Sequence, residues 1–318
     1  MVENKKTKNL KEFSTSADRF EGANLLCPGC AHSIIVREVL NATNDDLILS
    51  AATGCLEVCT AVYPYTSWDA SWIHIGFENA ATAVAGAEAM YKALKRKNRL
   101  LQPERVPKFV AFGGDGASYD IGFQWISGAF ERGHDMMYVV LDNEVYANTG
   151  GQRSSSTPIG ASATTSPAGR VSYGEKKEKK DMMAIMAAHG SPYVAQVSPS
   201  KWKDMVKKIQ RGLNTEGPTF INAVSACTTE WKFAPEDTIA IADLAVDSLV
   251  FPLYEIIDGH ELNITYRPKN VIPVKEYLAA QGRFKHLFKP EFKHILDEWQ
   301  VRVDKKWEQL QRREEARI

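Results

Sequence analysis

The chain has 318 residues, 44% hydrophobic and 25% charged, which suits one large or two small globular domains with an ample core and excludes a disordered or fibrous protein. Lysine plus arginine and aspartate plus glutamate number 39 each, so no global field selects nucleic acid or a membrane surface. Five cysteines do not suggest a disulfide framework in a chain of this size; in a reducing compartment they read as ligands, nucleophiles or buried thiols.

Residues 1–22 are polar, with a local basic stretch at Lys5, Lys6, Lys8 and Lys11, and read as an extended, solvated arm lacking the apolar core of a signal peptide. No later run reaches the roughly 18 apolar residues of a membrane span, so a soluble, cytoplasmic protein is expected. A main domain is expected over 23–245. After Cys27 and Cys30, Ser33–Leu40 has helical character and Leu47–Ala51 reads as a short buried strand. The small residues of Glu78–Leu94 predict a helix buried on more than one side, its start anchored by Glu78. Lys108–Phe112 and Met136–Leu141 predict strands that flank a glycine-rich turn and a helix near Gly122–Arg132. That order predicts an α/β fold, a mostly parallel sheet with helices on both faces.

Residues 150–181 are rich first in Ser, Thr, Gly and Pro, then in Lys and Glu. A loop that long inside a compact domain is functional or interfacial. Met182–His189 predicts a helix, Tyr193–Gln196 a strand, Trp202–Leu213 a helix, and Thr219–Val224 a buried strand leading to Cys227. In a C-terminal extension over 246–318, Phe292, Ile295, Leu296, Trp299, Val303, Trp307 and Leu310 recur at three- and four-residue steps. They predict an amphipathic helix docked on the body or on a partner subunit.

Three groups of residues point to chemistry. Gly114-Asp115-Gly116 follows a predicted strand; glycines let backbone approach a phosphate, and a following helix offers free N–H groups and a positive dipole end. Asp115 is placed to bind a metal that also holds phosphates, as magnesium does through one or two carboxylates. Asn143, 28 residues on (143 − 115), ends the next predicted strand. Parallel neighbours align their carboxyl ends, so the two side chains can share one ion. By itself Gly-Asp-Gly is as readily an ordinary turn.

The second group is cysteine: Cys27-Pro-Gly-Cys30, then Cys55 and the distant Cys227. Four thiolates suit a zinc site or an iron–sulfur cluster, although compact zinc sites usually bring two close pairs. A redox CxxC pair or unrelated buried thiols are the alternatives. Cys59 reads as a buried non-ligand. The third group is Tyr146–Arg153, in which Asn148, beside Thr149, can donate to a developing oxyanion or simply form a turn. His32 is a weaker candidate, and His74, His134 and His189 read as structural.

Taken in order, CPGC (27–30), TGC (53–55), GGDG (113–116), DNEVYANTGGQRSSSTP (142–158) and the late Cys227 carry a family likeness. The chain resembles the beta, thiamine-diphosphate-binding subunit of a 2-oxoacid:ferredoxin oxidoreductase of the pyruvate:ferredoxin type, with oxalate oxidoreductase a close relative. The resemblance implies the thiamine-diphosphate-binding fold. It implies one 4Fe-4S cluster on Cys27, Cys30, Cys55 and Cys227, and Mg²⁺ on the Asp115 and Asn143 side chains and the Val145 carbonyl. Gly114, Gly116 and Ala117 would line the diphosphate, with His32, Cys55 and Thr149 also at the cofactor and Asn148 catalytic, facing the reacting carbon. Cys59 falls outside the pattern.

The implied activity is oxidative decarboxylation of pyruvate to acetyl-CoA and CO₂, or of oxalate to CO₂, with single electrons passed through the cluster to ferredoxin. The chain lacks the glutamate-bearing half of a thiamine site and the clustered cysteines of ferredoxin-type modules. The implied partners are therefore an alpha-type subunit, a ferredoxin-like subunit or domain, ferredoxin, a small 2-oxoacid and coenzyme A. Two other readings stand beside this one: a non-redox thiamine lyase or decarboxylase, which gives the cysteines no role, and a zinc-binding scaffold.

Overall fold

The computed structural model describes residues 10–15 and 17–316. Lys5, Lys6 and Lys8 lie outside them. Eight strands form one sheet: β1 (Leu47–Ala52), β2 (Ser71–Ile75), β3 (Lys108–Gly114), β4 (Met137–Asp142), β5 (Tyr193–Val197), β6 (Thr219–Val224), β7 (Tyr254–Ile257) and β8 (Glu261–Ile264). Their order is β2-β1-β3-β4-β6-β5-β7-β8. The first six pair in parallel, and β7 and β8 close one edge in antiparallel fashion. The sheet is thus α/β and mostly parallel, as the strand–turn–helix–strand order implied.

The central strands are apolar along their length because helices cover both faces. Successive side chains still alternate sides. On β3 and β4, Phe109, Ala111, Tyr138 and Val140 join one core, and Val110, Phe112, Val139 and Leu141 the other. The first core is covered by the helices Ala80–Arg96 and Phe123–Glu131, through Ala81, Val84, Ile126 and Phe130. The second is covered by Ala31–Asn41 and Trp202–Asn214, through Ile35, Val39, Met205 and Ile209. Each fully buried side chain of this kind contributes about 1.5–3 kcal/mol.

Several details depart from the sequence reading. The helix Ala80–Arg96 buries one face only, through Ala80, Ala81, Val84, Ala85 and Glu88, while Met90 is 60% exposed. Asn79, not Glu78, occupies its N-cap, without a side-chain cap. The N-terminal segment is not simply extended and solvated: Leu10–Thr15 is helical, Phe13 meets Trp202 edge-on at 5.9 Å, and buried Phe20 meets Trp68 at 5.0 Å. The helix Lys293–Ala316 docks on the body through Ile295, Val303 and Leu310, in cores shared with Trp231, Phe284 and Ile264. Among the described residues no helix is long and apolar enough to cross a membrane.

Candidate active site

In a parallel sheet, ligands bind outside the carboxyl ends of the strands. Here β1, β3 and β4 are adjacent, and Gly114 at the end of β3 stands opposite Leu141 of β4. Three turns leave that edge: Thr53-Gly54 after β1, a π-helical turn at Gly116–Ile121 after β3, and Asn143–Tyr146 after β4. Together with His32 they line an open cleft. The cleft is lined by His32, Cys55, Gly114, Asp115, Gly116, Ala117, Asn143, Val145, Asn148 and Thr149, the whole set of cofactor-site residues expected from the sequence. Phe77, Phe112, Ile121 and Leu141 supply apolar wall.

The glycines differ in what they do. A Cβ on Gly113 would stand 2.2 Å from the Tyr138 hydroxyl, and one on Gly116 would stand 2.1 Å from the Tyr146 ring. A Cβ on Gly114 would meet nothing within 4 Å. Two glycines therefore serve packing, and the middle one leaves free room in the cleft.

Asp115 is 1% exposed, and its Oδ2 accepts from Ser154 Oγ. Burial and then the nearby Asp142 carboxylate push its pKa well above the ordinary range. A cation at this point would restore its charge. The Asn143 amide oxygen accepts from the Val145 N–H at 3.3 Å. The same end of the amide lies 2.8 Å from Asp115 Oδ1 and 2.6 Å from the Val145 carbonyl oxygen; turned over, it donates to both. The Asn143 amide thus faces the Asp115 carboxylate and the Val145 carbonyl, and a carboxylate, an amide and a backbone carbonyl are oxygen donors of the kind magnesium takes. The donor set fits Mg²⁺.

Around this point runs a buried ionic chain. Lys179 Nζ bridges Asp142 Oδ2 at 2.6 Å and Glu144 Oε1 at 3.0 Å, and Arg283 Nη2 meets Glu144 Oε2 at 2.6 Å. Trp231 Nε1 donates to the Asn143 carbonyl at 2.7 Å. Glu144 has φ +63°, a left-handed conformation uncommon outside glycine.

The cysteines gather beside the cleft. The CPGC turn is tied to the segment after β6, where the Ala31 N–H donates to the Ala226 carbonyl at 3.4 Å and Thr228 Oγ1 to the Pro28 carbonyl at 3.4 Å. Gly29 has φ +74°, and a Cβ there would strike Pro235. Burial, with smaller contributions from the neighbouring cysteines, pushes the Cys30 and Cys55 thiols up to about 12. Cys59 shares this neighbourhood and is half-buried rather than buried, and its carbonyl accepts from the Leu25 N–H at 2.9 Å. Among the described residues no group of three His, Cys, Asp or Glu side chains forms a ready metal cage. The thiols therefore converge without closing on one centre.

His32 is buried, which lowers its pKa to about 4, and its Nδ1 pairs with Ser225 Oγ at 2.6 Å. It is neutral at physiological pH. Asn148 and Thr149 are exposed at the mouth of the cleft. One group escaped the sequence reading. His74 does more than pack: its Nε2 pairs with the cleft residue Thr53 at 2.7 Å, and its Nδ1 lies 3.3 Å from the buried carboxylate of Glu57. The only signal was Thr53 inside TGC, and nothing in the chain announced that β2 would bring His74 there.

Comparison with known proteins agrees with this geometry. The family described as "Thiamine pyrophosphate enzyme, C-terminal TPP binding domain" matches residues 52–223, just over half the chain. Pyruvate synthase subunit PorB of Methanocaldococcus jannaschii is 51% identical over 269 residues, covering 85% of this chain and 90% of that one. PorB of Thermotoga maritima is 42% identical over 97% of each chain. The chain belongs to the thiamine-dependent PorB family. It is a subunit of the 2-oxoacid:ferredoxin oxidoreductase class, as the ordered cysteine and GDG motifs implied. Ketoisovalerate oxidoreductase subunit VorB of Pyrococcus furiosus is also similar, 38% identical over 89% of this chain and 92% of that one. A solved 2-oxoglutarate:ferredoxin oxidoreductase from Magnetococcus marinus aligns over 67% of each chain, with a TM-score of 0.52 and 24% identity, a likeness of fold.

Proposed function

We propose that this chain is the catalytic subunit that oxidatively decarboxylates pyruvate, giving CO₂ and acetyl-CoA and passing electrons singly through a 4Fe-4S cluster to ferredoxin. The observation that carries this reading is the approach of Asp115 Oδ1, the Asn143 amide and the Val145 carbonyl in a cleft whose edge is formed by Cys55. Asp115, Asn143 and Val145 would hold Mg²⁺, and the free space at Gly114 with the first N–H groups after Asp115 would receive the diphosphate. Cys27, Cys30, Cys55 and Cys227 would hold the cluster, with Cys59 as a fifth thiol nearby. When bound, thiamine diphosphate supplies an electron sink for the broken carbon–carbon bond, and the cluster accepts single electrons.

The chain's own residues do the rest. Neutral His32 offers a hydrogen bond beside the cofactor without adding charge. The Asn148 amide would donate to an oxygen on which negative charge grows, an effect worth about 10²–10³ in rate at comparable sites. Phe77, Phe112, Ile121 and Leu141 lower the local polarity, which favours loss of CO₂ because charge disperses as the bond breaks. Asn148, Thr149, Phe77 and Ile121 sit at an open mouth, so an alpha-type partner subunit would close the site and supply its other half. A ferredoxin-like subunit or domain would receive the electrons. Pyruvate is favoured because the 51% and 42% identical relatives are pyruvate synthase subunits, while the ketoisovalerate relative stands at 38%. The cytoplasm is the proposed location. A non-redox thiamine lyase would leave the converging thiols without a role, and a zinc scaffold would leave the oxygen cluster without one.

The test is anaerobic iron, sulfide and zinc analysis of the full complex, with pyruvate-dependent ferredoxin reduction. About four iron and four sulfide at this chain's site, bleaching when pyruvate is added, is the expected result. Zinc in place of iron would remove the redox reading and leave the thiamine site.

A further inference from the structure

The run Ser154-Ser155-Ser156-Thr157 contributes no metal ligand, yet each residue reaches one of the turns that do. Ser154 Oγ donates to Asp115 Oδ2, so Oδ1 is left facing Asn143. The Ser155 N–H donates to Asp120 Oδ2 at 3.0 Å, and the same oxygen accepts from the Tyr146 hydroxyl at 3.2 Å. Ser156 Oγ donates to Asp142 Oδ1 at 2.5 Å. Thr157 Oγ1 accepts from the Ser154 N–H at 2.9 Å and donates to the Glu144 carbonyl at 2.7 Å. From the far end of the same loop, Lys179 joins Asp142 to Glu144. Ser154, Ser156 and Thr157 are at most 2% exposed, so no solvent can replace these bonds.

We propose that Ser154, Ser156, Thr157 and Lys179 are positioning residues that hold the Gly114–Gly116 and Asp142–Val145 turns at the separation the metal requires. The physical case is the Glu144 backbone. A left-handed non-glycine residue persists only where its surroundings hold it. Glu144 is held at both ends, its carbonyl by Thr157 and its carboxylate by Lys179 and Arg283. That conformation lets the Asn143 amide meet both the Val145 carbonyl and the Asp115 carboxylate. Ser154 ties that carboxylate to the same loop segment, so one rigid strip fixes both halves of the ligand set. Partners that orient ligands in this way change metal affinity by about 10–100-fold when lost.

The inference rests on the magnesium reading, and the experiment separates the two. Mn²⁺, as a probe for Mg²⁺, is titrated with thiamine diphosphate into the full complex without substrate and followed by electron paramagnetic resonance. Thr157→Val keeps the shape and removes the hydroxyl, and is expected to weaken Mn²⁺ about 10–100-fold. Thr157→Ser keeps the hydroxyl and is expected to stay near the wild type. Equal losses in both, or none in T157V, overturn the inference, because packing alone or nothing would then be at work. If T157V does not assemble, Ser154→Ala decides by the same titration, wild-type affinity overturning the inference. Asp115→Ala is run beside them. Its loss of Mn²⁺ supports the metal reading whatever Thr157 does, and full retention removes that reading and the inference with it.

Discussion

At the scale of single residues, two of the three glycines of GGDG, Gly114 and Gly116, make separable predictions. Gly114 does not need left-handed backbone, and its missing Cβ faces empty cleft. Gly114→Ala is expected to fold with stability changed by no more than about 0.5 kcal/mol, while thiamine diphosphate affinity falls at least about tenfold, ~1.4 kcal/mol. Gly116→Ala would press on the Tyr146 ring and is expected to cost about 1–3 kcal/mol of stability. Thermal melts with and without the cofactor check both; a large loss of stability in G114A with unchanged binding would show that Gly114 serves packing. Asp115 and Asn143 were legible because the chemistry demands fixed residue types after consecutive strands. Thr53, His74 and Glu57 were not, because their meeting depends on which strand neighbours β1.

At the scale of elements, the helix Ala80–Arg96 shows how a buried charge fixes packing. Glu88 is 2% exposed, pairs with His134 Nδ1 at 2.8 Å and with Lys92, and accepts from the Asp135 N–H at 3.3 Å. Burial works to raise its pKa, but the His134, Lys92 and Asp135 hydrogen bonds outweigh it and hold the carboxyl below its ordinary value of 4.5. A carboxylate depressed in the folded state adds stability above the unfolded pKa and loses it as pH falls through the folded one. Glu88→Gln is therefore expected to cost about 1–3 kcal/mol at neutral pH, and the gap to the wild type should close below about pH 4.5. Melting curves at both pH values measure it, and a gap independent of pH would mean that shape, not charge, is what Glu88 supplies. The helix itself was legible from its small residues. Its single buried face was not, since Ala and Gly suit a crowded and an open surface equally.

At the scale of the whole molecule, the cysteine group is the decisive feature, because it joins the CPGC turn, the helix Cys55–Thr60 and the segment after β6. Cys227→Ser in the full complex is expected to lose or degrade the cluster, and Cys59→Ser to retain it. Anaerobic iron content and the visible spectrum report the outcome, and the reverse result would make Cys59 the fourth ligand. Cys55 also lines the cleft, so cluster loss is expected to disturb cofactor binding as well. The isolated chain is expected to show little turnover, since its cleft mouth stays open to water.

The amino-acid sequence by itself determined the sheet class, the strand ends that carry Asp115 and Asn143, and the order of the cysteines. These follow from local patterns, a buried strand of β-branched and apolar residues and a turn of glycine, that hold wherever the chain lies in space. Only the tertiary structure decided that β2 flanks β1 and brings His74 to Thr53, that β7 and β8 extend the sheet, and that Cys59 stands with the other thiols. It also decided that the serine-rich loop folds back onto the turns after β3 and β4. Those facts depend on contacts between residues far apart in the chain, such as Ser154 with Asp115 and Arg283 with Glu144. No local pattern encodes such pairings, because each is set by the packing of the whole sheet and its covering helices.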